Sequence, residues 1–434
     1  MHCEIEVLRP PARLLLALTV GVALSGIPAR SQSSPDGSGE KDISIQRLLQ
    51  RIDELEASQK QLREKLDKLT GSSEVAPSAA VVEAAPSAAS ADTASGSEES
   101  EHVHALGPVK FQGFSDFDYG RAWFEKLPPG GLVGSTNSFN IGDFDLFTNT
   151  RISDHWSLLG ELLVSSDFTN EFGAEIDRLM VTYRANDYLK VSFGKFNTAL
   201  GYYPNAFHRA HYFQTGISRP IMFADEDNGG ILPVHSVGAT ATGKIPSGAL
   251  GLHWVAEVAN GRSNQTFEVP IQNFVDENNG KAMNFALYAR PDWLAGLQTG
   301  VSFYHDVLHP VETPTIQEGI YTAHIAYLGS KLEWLNEAAL IRHAVRGEEV
   351  FRSLTSYTQI SRAFGKTRPY FRYDYQNVPD QEPIFGQLGR RNGPSIGVTQ
   401  HLNNYLLFKV QYGRLSERHE APTNDLSAQL ALAF

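Results

Sequence analysis

The chain has 434 residues, 41% of them apolar, with 37 Gly, 24 Phe, 16 Tyr and one Cys. A formal net charge of -12 excludes the basic stripe that a nucleic-acid partner requires. No apolar run approaches the ~20 residues of a spanning helix, and a lone cysteine supports no internal disulfide framework.

Residues 1–31 place Arg9 and Arg13 ahead of an apolar core from Leu14 to Leu24, followed by small residues around Ala29 and Ser31. This is the pattern of a secretory signal peptide, and the core is too short for a membrane anchor. Cys3 lies before the core and leaves with it.

Residues 42–69 carry Ile45, Leu48, Ile52, Leu55, Gln59, Leu62, Leu66 and Leu69 at alternating steps of three and four. The remaining positions are almost wholly polar, so the seam is narrow and predicts a coiled coil rather than a helix packed on a globular body. Ile at a with Leu at d leans towards two strands, while Gln59 and the Leu66/Leu69 heptad blur that preference. Residues 70–104 are Ala, Ser, Pro and acid without an aromatic side chain, which predicts a disordered linker.

From 105 to 434 the character changes. About sixteen segments alternate apolar and polar residues, the first near 109–120 and the last near 424–434. Leu179, Val181 and Tyr183 oppose Arg178, Thr182 and Arg184; Leu406, Phe408, Val410 and Tyr412 oppose Lys409 and Gln411. Odd-numbered segments are followed by long polar stretches, among them Thr198 to Val234, and even-numbered ones by tight turns such as "SDH", "AND" and "NNY". Strict period-two strands with loops segregated by length predict an all-β fold, a 16-stranded antiparallel transmembrane β-barrel. A soluble sandwich has no reason to sort its loops in this way. An open edge in hydrocarbon leaves peptide groups unpaired, so the last strand is expected to pair with the first.

If the apolar face meets lipid, strand charges face the bore. By parity these are Arg178, Arg184, Lys190, Arg290, Arg372 and Lys409 with Asp116, Asp118, Asp143, Asp145, Glu161, Glu257 and Asp374. Six bases against seven acids predict a polar, wet lumen without ion preference. The stretch Thr198 to Val234 is long enough to fold inward as a constriction. It carries His208, Arg209, His211 and Arg219, then Asp225, Glu226 and Asp227, and opposed clusters of this kind would set a transverse field across a pore. The H-x-x-H spacing of His208 and His211 matches no known catalytic metal pattern. No G-x-S-x-G frame occurs for a serine hydrolase, so neither an enzyme nor a cofactor is expected.

The alternating last strand closed by Phe434 resembles the C-terminal signal of outer-membrane barrels. In addition, "VSFGKFNTALGYY" from Val191, "SRP" at Ser218, "ANG" at Ala259 and "RPYFRYD" at Arg368 follow one another as in phosphate-selective porins of the O and P type, some of which carry an N-terminal periplasmic coiled coil. The resemblance implies a homotrimer in the bacterial outer membrane, inserted by the barrel-assembly machinery through the last strand and surrounded by outer-membrane lipid. Its coiled coil would lie in the periplasm. The chain departs from the family in lacking a lysine cluster, so phosphate is not carried over. The expected function is a water-filled channel for passive diffusion of small hydrophilic solutes or ions. The other reading is a structural tether, with a plugged barrel and a coiled coil reaching the cell wall.

Overall fold

The computed structural model describes residues 109–124, 135–166, 171–207, 211–224, 230–262, 279–310, 313–418 and 420–434. The segments expected as signal peptide, coiled coil and linker lie outside them, as do His208, Arg209, Asp225, Glu226 and Asp227.

The first eight strands are β1 (Lys110–Phe124), β2 (Ser135–Arg151), β3 (Trp156–Ser166), β4 (Phe172–Asn186), β5 (Leu189–Asn197), β6 (His235–Ile245), β7 (Leu252–Ala259) and β8 (Ala282–Ala289). The others are β9 (Leu297–Leu308), β10 (Ile316–Leu328), β11 (Leu332–Val345), β12 (Val350–Arg362), β13 (Thr367–Asn377), β14 (Arg390–His401), β15 (Leu406–Glu417) and β16 (Thr423–Ala433). Each pairs with its sequence neighbours, and β1 pairs antiparallel with β16, from Phe114 opposite Ala433 to Phe124 opposite Thr423. The sixteen-stranded closed barrel expected from the alternation is the observed fold. Closure leaves no strand edge.

The alternation that defines the strands also separates their two faces. In β11, Glu333, Leu335 and Glu337 are buried inside, while Leu332, Trp334 and Leu340 are exposed outside. Large apolar side chains cover the exterior around the sheet, Phe111, Phe139, Phe285, Val301, Ile360 and Ile396 among them. Exposed Trp156, Trp293, Trp334 and Tyr405 gather at the short-turn end.

Two features depart from strict expectation. Not every odd-numbered strand leads into a long loop: β11 and β12 are joined by residues 346–349 and β15 and β16 by 418–422. Strict parity also fails at bulges. In β4, Glu161 lies opposite Arg178 while Leu162 lies opposite Ile176. Asp177 is the extra residue, and it is buried although its parity is that of the exposed Leu179. A carboxylate directed at hydrocarbon is costly, and the bulge turns it inward.

The seam closes on a glycine. Gly113 N–H donates to the Phe434 carbonyl at 2.8 Å, and Phe434 N–H donates to the Gly113 carbonyl at 2.8 Å. A β-carbon at Gly113 would run into the Phe434 ring. Gly113→Val is expected to destabilise the closed barrel by about 1–3 kcal/mol through this overlap. The check is thermal unfolding in detergent followed by gel mobility, and an unchanged transition would show that the ring relocates freely.

Candidate functional site

The segment Thr198–Val234 joining β5 to β6 has no alternation to extend the sheet, and it turns into the barrel. Gly201 takes a positive φ of 82°, and a side chain there would strike Glu337. One helical turn, Tyr203–Phe207, follows. Leu200, Tyr203, Phe207, Met222, Phe223 and Ile231 pack against inward-facing Tyr304, Ile320, Leu335 and Tyr357. The expected wet lumen is therefore corrected along this arc of β9 to β12, which the loop covers with a dry apolar cluster.

Peptide groups buried in this way need partners, and wall side chains supply them. Glu337 accepts the Tyr202 and Tyr203 N–H groups at 2.5 and 3.1 Å and the Tyr357 hydroxyl at 2.7 Å. Glu257 accepts the Ala199 N–H at 3.1 Å and the Asn284 amide at 2.7 Å. Asp374 accepts the Ile221 N–H at 3.1 Å and Arg372 Nε at 2.7 Å. Arg372 in turn donates to the carbonyl and hydroxyl of Ser218. Lys409 donates to three loop carbonyls, those of His211, Gln214 and Gly216, the last two at 2.9 and 3.2 Å. His211 Nδ1 lies 3.0 Å from Asp116.

Five expected pore-lining residues, Asp116, Glu257, Arg372, Asp374 and Lys409, thus face the interior as parity predicts, yet hold the loop. Two more sequence-based placements change. Arg184 has inward parity but sits exposed at the β4–β5 turn, paired with Asp187. Arg184 first and Lys244 second hold the Asp187 carboxyl below the usual carboxylate range. Arg219, expected at the narrowest point, does not line the main cavity. Asp118 and Asp143 are half-buried, Asp143 within a bulge of β2 opposite Asp116.

Several charged residues escaped the sequence reading. Asp177 meets His235 at 3.3 Å inside the wall. Arg262, after β7, joins the β5–β6 segment to β10: its Nη2 donates to the Ile231 carbonyl at 2.6 Å, and its Nη1 lies 3.3 Å from Glu318. Glu318 reaches His343 at 2.9 Å, which meets Glu382 of the β13–β14 loop at 2.5 Å. Asp306, Glu318, Glu333 and Glu337 follow the same alternation as their strands and were legible by it; Arg262 and Glu382 lie in aperiodic loops and were not. Eleven Asp and Glu against four Lys and Arg are buried among the described residues.

The open space lies between the loop and the wall of β4 to β9. It is a cavity of about 740 Å³. Arg178, Lys190 and Arg290 line it from the wall, among the hydroxyls of Thr182, Ser192 and Thr240. Tyr202, Asn205, Phe207 and Phe213 line it from the loop. A further space of about 430 Å³ shares Tyr202, Arg290 and Gln298 with it and extends to the β8–β9 turn. Arg178 pairs with Glu161, which with Asp145 lines a side cavity of about 170 Å³. Arg290 donates to Gln298 at 2.7 Å and lies over the Tyr288 ring, 5.0 Å from its centroid. Neither Lys190 nor Arg290 has a carboxylate partner among the described residues.

No protein-family model matches the sequence, and no curated protein does. Solved structures with the same barrel include an anion-selective porin from Comamonas acidovorans, at 10% identity and TM-score 0.56, covering 75% of this chain and 99% of that one. The outer membrane channel DcaP of Acinetobacter baumannii aligns at 11% identity and TM-score 0.52, covering 75% and 97%. OmpF of Salmonella typhi, in complex with daunomycin, aligns at 11% and 0.51, with the same coverages. At these identities the likeness establishes a shared fold.

The wall's grip on the loop can be measured. Lys409→Met leaves three loop carbonyls without their donor and is expected to loosen the segment by about 1–3 kcal/mol. Hydrogen exchange should rise at the amides of residues 214–218 and stay unchanged in β15. Equal protection in both proteins would show that Lys409 is dispensable as an anchor.

Proposed function

We propose that the chain is an outer-membrane porin, a water-filled channel through which small hydrophilic solutes diffuse passively. The observation that carries this reading is a closed barrel, apolar outside, whose longest described connection turns inward and leaves a polar cavity beside it. In hydrocarbon all backbone polar groups must be satisfied internally, and a closed barrel does so. The neighbours titled as porins and outer-membrane channels share this architecture.

Solutes pass, in this reading, between the loop and β4 to β9. Among the described residues Glu257 is the acid that lines this cavity, and it is occupied by the Ala199 N–H and the Asn284 amide, whereas Lys190 and Arg290 line it without a carboxylate partner, with Asp292 beyond Arg290 in the adjoining space. The pore therefore favours anions. The remaining expectations complete the proposal: residues 1–31 direct export, 42–69 form a periplasmic coiled coil on the linker 70–104, and the barrels associate as trimers. The order of motifs from Val191 to Asp374 supports kinship with the O and P type porins. The strand ended by Phe434 addresses the barrel-assembly machinery, and lipid solvates the outer wall.

Reconstituted protein in a planar bilayer should give stable conductance steps with a reversal potential on the anion side. Lys190→Gln combined with Arg290→Gln should move that potential towards cation preference; a silent bilayer would refute the channel itself. On the outer wall, Val301→Arg is expected to lower stability in lipid vesicles by about 2–4 kcal/mol, against little change for Val301→Leu. Denaturant titration measures both, and equal midpoints would place that face in water.

A further inference from the structure

The two sides of the main cavity differ in kind. The wall presents cations: Lys190 and Arg290 without carboxylate partners among the described residues, and Arg178 beside them. Opposite, the loop presents rings. Tyr202 and Phe207 meet edge to face at 6.0 Å, and Phe213 is 55% exposed. Tyr288 adds a ring on the wall itself, in contact with Arg290 and with His253, whose ring stacks on it at 5.0 Å and 3°.

A small inorganic anion uses only one of these sides. Its hydration shell would meet ring faces on the loop side, where water finds fewer hydrogen-bond partners than on the wall. A planar ring bearing a carboxylate uses both. The ring gains an offset or edge-on contact with a loop ring, Phe213 being the most exposed of them, and its carboxylate gains a charge-assisted hydrogen bond from Lys190 or Arg290. Among the described residues, no ion pair of Lys190 or Arg290 need be broken for it to bind. About 740 Å³ falls within the range of small-molecule sites and leaves space for water around such a solute. Weak attraction at such a point favours entry without preventing exit.

We infer that this cavity is a selectivity site for aromatic carboxylates, with the ring held against the exposed Phe213 of the loop and the carboxylate against Lys190 or Arg290. The inference rests on the porin reading and narrows it to a solute class.

The test uses full-length protein in a planar bilayer at neutral pH, with potassium chloride as carrier and benzoate or propionate added to one side. Benzoate should interrupt the chloride current at a concentration roughly fivefold lower than propionate, the margin expected of one aromatic contact. Phe213→Ala should reduce that ratio about threefold or more, and heat-shifted gel mobility verifies that the variant barrel is folded. Lys190→Gln with Arg290→Gln should weaken both acids. Equal effects of benzoate and propionate in a conducting, anion-preferring channel would overturn the aromatic site and leave the porin reading intact, as would a ratio unmoved by Phe213→Ala. Absence of conductance would overturn both.

Discussion

A peptide segment inside a barrel has no strand to pair with. All sixteen strands satisfy one another around the closed sheet, so the segment from Thr198 to Val234 must find its hydrogen bonds elsewhere. It finds them on charged and amide side chains of the wall: carboxylates where the loop offers N–H groups, Lys409 and Arg372 where it offers carbonyls. The polarity of the loop backbone thus selects the sign of the side chain beneath it. Two or three such hydrogen bonds offset part of the cost of burying a charged group.

This division of labour determines the electrostatics of the open cavity. Counting charged residues inside the barrel would predict a strongly acidic bore, because buried acids far outnumber buried bases. Yet most of those acids are covered by the loop or engaged by neighbouring donors. Lys190 and Arg290 line the open cavity beside the loop and have no carboxylate partner among the described residues. A pore's preference follows from the groups a solute can approach, not from the total.

The same loop makes the bore asymmetric. Its aromatic residues serve two ends: Tyr203 stacks on Phe223 at 5.4 Å and builds the dry cluster that fixes the segment against β10 to β12, while Tyr202 and Phe213 lie on its open side. Loop residues on a rigid scaffold are where a barrel of common shape acquires individual chemistry. The barrel shared with structures at 10–11% identity and the particular lining described here are therefore separable properties.

By itself the sequence determined the number of strands, their limits to within a few residues, the pairing of the last with the first, and the inward direction of Asp116, Glu161, Arg372 and Lys409. Those follow from period-two alternation, a local pattern that two different solvents impose on the two faces of a strand. Only the tertiary structure decided that Asp177 turns inward through a bulge, that Arg184 stays at the rim, and that Lys409 binds a loop while Lys190 faces water. Each of these depends on what lies across the barrel, often many residues away in sequence. The path of an aperiodic loop leaves no repeating signature from which such a neighbour can be read.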